Sequence, residues 1–151
     1  MTKSYHCSDY KNFDVLGRII SGTVKKGQMI KIMGENYQVG EEEDTFTKEI
    51  SKVCLLQGRF KLELEKATAG NIVLLEGIDH SIIKTATIVD AMVEKQYSDV
   101  DIMIPLKFWT EPVVKVAIEP LIPSDLPKMI DAIRRVNKSY PLLKTKVEES
   151  G

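Results

Sequence analysis

The chain has two histidines and two cysteines, and their spacing suits neither metal binding nor nucleophilic catalysis. His6 and Cys7 are adjacent, but no second ligand pair follows at zinc-site spacing, and His80 stands alone. Cys54 lies in the apolar run Ile50-Ser51-Lys52-Val53-Cys54-Leu55-Leu56, where a cysteine behaves as a small core hydrophobe. Carboxylates are plentiful, yet no catalytic pair stands out from sequence. The run Glu41-Glu42-Glu43-Asp44 reads as a solvated loop, with a basic partner as the sharper alternative. Asn137-Lys138-Ser139-Tyr140 only echoes a guanine-recognition motif, because Tyr140 replaces the carboxylate that would pair with the base. No G-x-x-x-x-G-K-[ST] run is present, so the backbone cradle for nucleotide phosphates is missing. No catalytic residue, cofactor-binding residue or metal ligand is assigned, and this stretch of chain is read as a binding module.

One charge asymmetry remains. Between Leu121 and Val147 lie Lys128, Arg134, Arg135, Lys138, Lys144 and Lys146 against Asp125 and Asp131. The set Arg134, Arg135, Lys138 and Lys144 is the candidate contact to RNA or another partner, since phosphates are neutralised by such side chains. The plainer reading is the solvent face of an amphipathic helix and strand. Tyr140 is the one aromatic there to stack on a base.

Positioning these residues requires a folded scaffold, and the composition supplies one. With 43% hydrophobic and 28% charged residues, the 151-residue chain can bury a core and does not read as disordered. Its formal charge of -1 advertises no polyanion or membrane through the whole-molecule field, so any such partner must be met by a local patch. No apolar run reaches membrane-spanning length, and the two cysteines form no secreted disulfide framework.

Residues 15–24, 28–33, 50–56, 60–65, 71–76 and 81–89 read as short strands separated by Gly-containing turns. Phe60, Leu62 and Leu64 alternate with Lys61, Glu63 and Glu65, the period of two that a half-buried strand requires. Residues 13–109 are expected to close into an antiparallel β-barrel with Ile19, Ile32, Val53, Leu62, Leu64, Val73 and Ile88 buried. From Pro112 the pattern changes. Residues 113–119 alternate, Ser124 can cap a helix, and Leu126, Met129, Ile130, Ile133 and Val136 recur as one apolar stripe. Pro141 ends that helix, and residues 143–147 alternate again. The division is therefore 1–109, with 1–12 a flexible or extended lead-in, and 110–151, a strand-helix-strand piece. Three elements are too few to close a core. The piece is expected to be a truncated domain whose two strands close directly on each other, borrow a strand from a second copy or stay poorly ordered.

Gly17-Arg18-Ile19-Ile20-Ser21-Gly22-Thr23-Val24-Lys25-Lys26-Gly27-Gln28 resembles the opening of domain II of the translational GTPases. Met33-Gly34-Glu35-Asn36-Tyr37, Ala69-Gly70-Asn71-Ile72-Val73 and Lys84-Thr85-Ala86-Thr87-Ile88 narrow the resemblance to the eukaryotic elongation factor two branch. Ser124-Asp125-Leu126-Pro127-Lys128 is similar to the start of that branch's domain III. Val136-Asn137-Lys138-Ser139-Tyr140-Pro141 and Thr145-Lys146-Val147-Glu148-Glu149-Ser150-Gly151 resemble the spliceosomal paralogues, the GTPases of the U5 small nuclear ribonucleoprotein.

The resemblance implies a mainly β fold, a domain II barrel followed by a β-α-β part of a ferredoxin-like domain III. It implies a nuclear parent that binds GTP with magnesium in a domain before Met1 and continues beyond Gly151. That parent would help activate and dismantle the spliceosome with the large U5 scaffold protein, the unwinding helicase and U5 RNA as partners, and no membrane. The alternative is the same module of a cytoplasmic elongation factor two acting in ribosomal translocation. A third reading, a hydrolase using paired carboxylates, needs a deep pocket with perturbed acids.

Overall fold

The computed structural model describes residues 3–6, 12–35, 37–38, 44–92, 101–104 and 109–147, with residues 3–6 as backbone. Cys7, Glu41, Glu42, Glu43 and the closing run 148–151 lie outside the described residues. Two compact units are present, Met1–Pro105 and Leu106–Gly151.

Among its described residues the first unit has ten strands: β1 (Lys3–His6), β2 (Phe13–Arg18), β3 (Thr23–Lys25), β4 (Met29–Met33), β5 (Thr45–Glu49), β6 (Lys52–Gln57), β7 (Phe60–Leu64), β8 (Lys66–Thr68), β9 (Ile72–Glu76) and β10 (Thr87–Asp90). All pairings are antiparallel. They form a five-stranded sheet in the order β1-β2-β9-β6-β7, a three-stranded sheet β10-β4-β5, and a two-stranded ribbon β3-β8. Val15, Val53, Val73 and Leu75 from the first sheet, Ile30 and Ile32 from the second and Ala67 from the ribbon meet in one core with Ile19, Ile50, Ile78 and Ile82. Three walls around one core give a barrel-like enclosure. Among the described residues no continuous ladder closes it into a ring.

The chain passes from wall to wall at tied corners. Between β2 and β3 the Ile19 amide donates to Asn71 O at 3.0 Å. Between β5 and β6, Ile50 donates to Gln28 O at 3.0 Å and accepts from the Gly27 amide at 2.9 Å, while the Ser51 amide donates to Glu76 O at 3.0 Å. Between β7 and β8 the Lys26 amide donates to Glu65 O at 3.1 Å. Such corners let one strand serve two sheets without leaving buried polar groups unpaired. Gly77 allows one of them: its φ of +93° suits glycine, and a side chain there would collide with Ser51.

Ile19, Ile32, Val53 and Val73 are buried as the alternation predicts, and Leu64 and Ile88 are half-buried against the same core. Leu62 is the exception, 43% exposed. Its partner across the ladder is Leu55, one step beyond the Val53–Leu64 pair that reaches the core, and β7 is the edge of its sheet. A period of two assigns faces but not how far along a strand the core extends. The expected continuous strand 15–24 is bent into β2 and β3, and only the end of 81–89 is strand. A 3-10 turn (Asp79–Ser81) precedes it, with the Asp79 carboxylate accepting from the Phe13 amide at 3.3 Å. β5 was not anticipated. β1 pairs with β2 from Lys3↔Leu16 to His6↔Phe13, so part of the lead-in is an edge strand.

In the second unit the helix forms as expected: α1 spans Leu126–Ser139 after a 3-10 turn (Pro123–Asp125). Ser124 does not cap it. Asp125 occupies the cap position without a side-chain cap bond, its carboxylate instead receiving Lys128 at 2.9 Å. Tyr140, extended at φ -116° and ψ 104° before Pro141, ends the helix. The flanking segments 113–119 and 143–147 are not strands, contrary to the strand-helix-strand expectation. A helix satisfies its amides internally, whereas a strand needs a neighbour. Among the described residues of this unit, neither segment has a ladder partner.

Candidate functional site

The sequence-predicted basic set lies on and just beyond α1. Arg134 and Lys138 are one helical turn apart, and Arg135 and Lys138 three residues apart, so all three share one side of the helix. Leu126, Met129, Ile130, Ile133 and Val136 occupy the opposite side. Arg134 is exposed and lies 3.5 Å from Asp131, which sits within the basic face and offsets part of its charge. Arg135 is exposed, and Lys138 is half-buried in the last turn, where a cation also complements the helix dipole. Lys144 is exposed beyond Pro141, outside the helix, so it joins the set by sequence proximity alone. The structure therefore brings three of the four together.

The apolar side of α1 is not enclosed. Leu126, Ile130 and Val136 are exposed, with Met129 and Ile133 half-buried. Asn137 lies on the edge of this stripe, one turn beyond Ile133. Its Oδ1 is shielded from solvent and accepts no hydrogen bond.

A second polar group, not singled out from sequence, covers the outer face of the five-stranded sheet. The ladders place Leu74, Cys54 and Glu63 side by side on that face, with Lys61 two residues from Glu63. Lys61, reaching from edge strand β7, pairs with the fully buried Asp14 of β2. Lys26 meets Glu63 at 2.6 Å, and Lys52 lies 3.7 Å from Glu76 across the β6–β9 ladder. Beneath them Cys54 is buried with its thiol 4.0 Å from Glu76 Oε1. Burial, then the carboxylates of Glu76, Glu63 and Asp14, push the Cys54 thiol above its ordinary pKa. It stays protonated, which suits a packed side chain and not a nucleophile. The Glu63 carboxyl is held below its ordinary value by the hydrogen bond and charge of Lys26, the reverse of what a general acid at neutral pH requires. Alternation marks which of these residues face outward, but ion pairs across several strands follow from register, which sequence does not display.

Among the described residues no group of three His, Cys, Asp or Glu side chains is placed to hold a metal ion. No G-x-x-x-x-G-K-[ST] run occurs in the sequence, and no step of GTP hydrolysis is assigned to these residues.

A family model of elongation factor Tu domain 2 matches residues 15–89, the strands β2 to β10 with their connections. Over all 151 residues the chain is 48% identical to the 109 kDa U5 small nuclear ribonucleoprotein component GFL of Arabidopsis thaliana. It is equally 48% identical to that plant's 110 kDa U5 small nuclear ribonucleoprotein component CLO and to the pre-mRNA-splicing factor cwf10 of Schizosaccharomyces pombe. In each case the match takes in 100% of this chain and 15% of the relative, so the chain spans about a seventh of the length of the curated relatives it matches.

Proposed function

We propose that this chain, whose residues 15–89 match elongation factor Tu domain 2, is a binding and relay module of a U5 ribonucleoprotein GTPase acting in pre-mRNA splicing. The observation that carries the reading is the 48% identity sustained across the whole chain to proteins named for that particle and that process. The match extends past residue 89 through α1 and its basic residues, beyond the barrel that every translational GTPase of this family would share. In this reading the parent works in the nucleus, and GTP and magnesium are bound by residues other than these. The module offers docking surface to the large U5 scaffold protein and the helicase. Arg134, Arg135, Lys138 and Lys144 lie near U5 RNA.

Purification of the tagged parent from nuclear extract tests the setting. Enrichment of U5 RNA over ribosomal RNA is the expected result. Co-purification with ribosomes and no U5 RNA would place the module in a translocation factor instead. Reversing the charge of Arg134, Arg135, Lys138 and Lys144 together in the parent should weaken RNA crosslinking. Unchanged crosslinking would reduce them to a solvated face.

A further inference from the structure

The ribbon β3-β8 carries a juxtaposition that its own stability does not explain. Its register sets Lys25 directly opposite Lys66, Val24 opposite Ala67 and Thr23 opposite Thr68. Val24 and Ala67 pack against the core, so the Lys pair and the Thr pair both face outward, and all four residues are exposed. Directly opposed residues have Cβ atoms about 4.5–5.5 Å apart, and like charges placed so destabilise a ladder. The neighbouring Lys26 is neutralised by Glu63 at 2.6 Å. Among the described residues neither the Lys25 nor the Lys66 ammonium has such a partner.

We infer that the outer face of this ribbon binds the sugar-phosphate backbone of RNA, with the two ammonium groups converging on one phosphate and the two hydroxyls facing the next. Two opposed ammonium groups of one sign are relieved by an anion between them. Alternate residues of a strand are about 6.6 Å apart, which sets the hydroxyl row one step along from the ammonium row. Thr68 Oγ1 already accepts from Asn71 Nδ2 at 3.3 Å, which leaves its own proton to donate outward. Hydroxyl and ammonium donors together are the usual equipment for phosphate and sugar contacts, which position a protein without reading sequence. The ribbon carries no exposed aromatic for stacking, so its contribution is independent of base identity. The choice of RNA over another polyanion rests on the ribonucleoprotein reading above; the anion site rests on the register alone.

Binding of the full chain to a fluorescein-labelled single-stranded RNA of mixed sequence, followed by fluorescence anisotropy over a salt series, tests the inference. K25A/K66A removes the neutralisation of one phosphate, so the salt slope should fall by about 0.7 and affinity at 0.1 M salt by about 5-fold. K66E should weaken binding while raising the melting temperature, because it turns a like-charge pair into an opposite one. That opposition separates lost contact from lost fold. The charge-reversed α1 variant R134E/R135E serves as reference: in it the contribution of Lys25 and Lys66 should persist. An unchanged salt slope in K25A/K66A overturns the inference, as does tight binding of a polyglutamate peptide with no binding of RNA. Neither result bears on whether the parent purifies with U5 RNA.

Discussion

Lys26 and Glu63 hold each other across the turn after β3, and each shifts the other's titration. Glu63 titrates below its ordinary 4.5, so its stabilisation is complete above the unfolded-state pKa and is lost as pH falls through the folded one. Lys26 titrates above its ordinary 10.5, so its share is complete below that value and is lost as pH rises through the folded one. E63Q should therefore melt below the parent chain at neutral pH, and the gap should close in strong acid and again in strong alkali. A gap that stays constant in acid would mean the pair contributes nothing through its charge. Lys25 and Lys66 show the opposite case at the same scale: K66E should stabilise the fold by about 0.2–1 kcal/mol in chemical denaturation. Gly77 tests backbone geometry. With φ at +93°, and Ser51 where a side chain would stand, G77A should cost at least about 1–2 kcal/mol.

Elements differ here in whether they can satisfy themselves. β4 is buried at Ile30, Ile32 and Met33, so I32A should cost about 2–5 kcal/mol. β7 has the same alternation but runs along a sheet edge, and L62A should change stability by no more than about 0.5 kcal/mol. Equal losses in the two variants would mean that β7 is covered in solution. α1 closes its own hydrogen bonds and so forms without an enclosed apolar face, whereas residues 113–119, with Val113 98% exposed, have no ladder partner among the described residues and form no strand. Asn137 is a local defect in α1: its enclosed, unpaired Oδ1 costs about 1–3 kcal/mol, so N137L should raise the stability of the second unit. A thermal scan following helical ellipticity would read this directly. A destabilised N137L would show that the amide has a partner in solution.

At the scale of the molecule, one unit has a core lined by three sheets and the other has a helix whose apolar side chains are exposed or half-buried. Hydrogen exchange should reflect that contrast, with strong protection in β2, β4, β6 and β9, moderate protection in α1 and little in 113–122. Protection of 113–122 equal to that of β9 would mean that those residues are paired in solution. A fluorescent GTP analogue titrated into the chain with magnesium should give no saturable signal, because the phosphate loop is absent from its sequence. The polar outer face of the five-stranded sheet, the basic side of α1 and the β3-β8 ribbon are three distinct chemistries presented outward.

The order of short strands, the helix and its stop at Pro141 were legible because they depend on local facts: alternation, turn glycines and a stripe at helical spacing. The family was legible too, since its motifs are contiguous runs. Leu62 was not, because exposure depends on where a sheet ends. Nor were the segments 113–119 and 143–147, which have strand-like sequences and, among the described residues, no ladder partner to make them strands. The Asp14–Lys61 pair, the Cys54 environment and the opposed Lys25 and Lys66 come from register between segments dozens of residues apart. Register is set by packing of the whole core, and tertiary structure alone decides it.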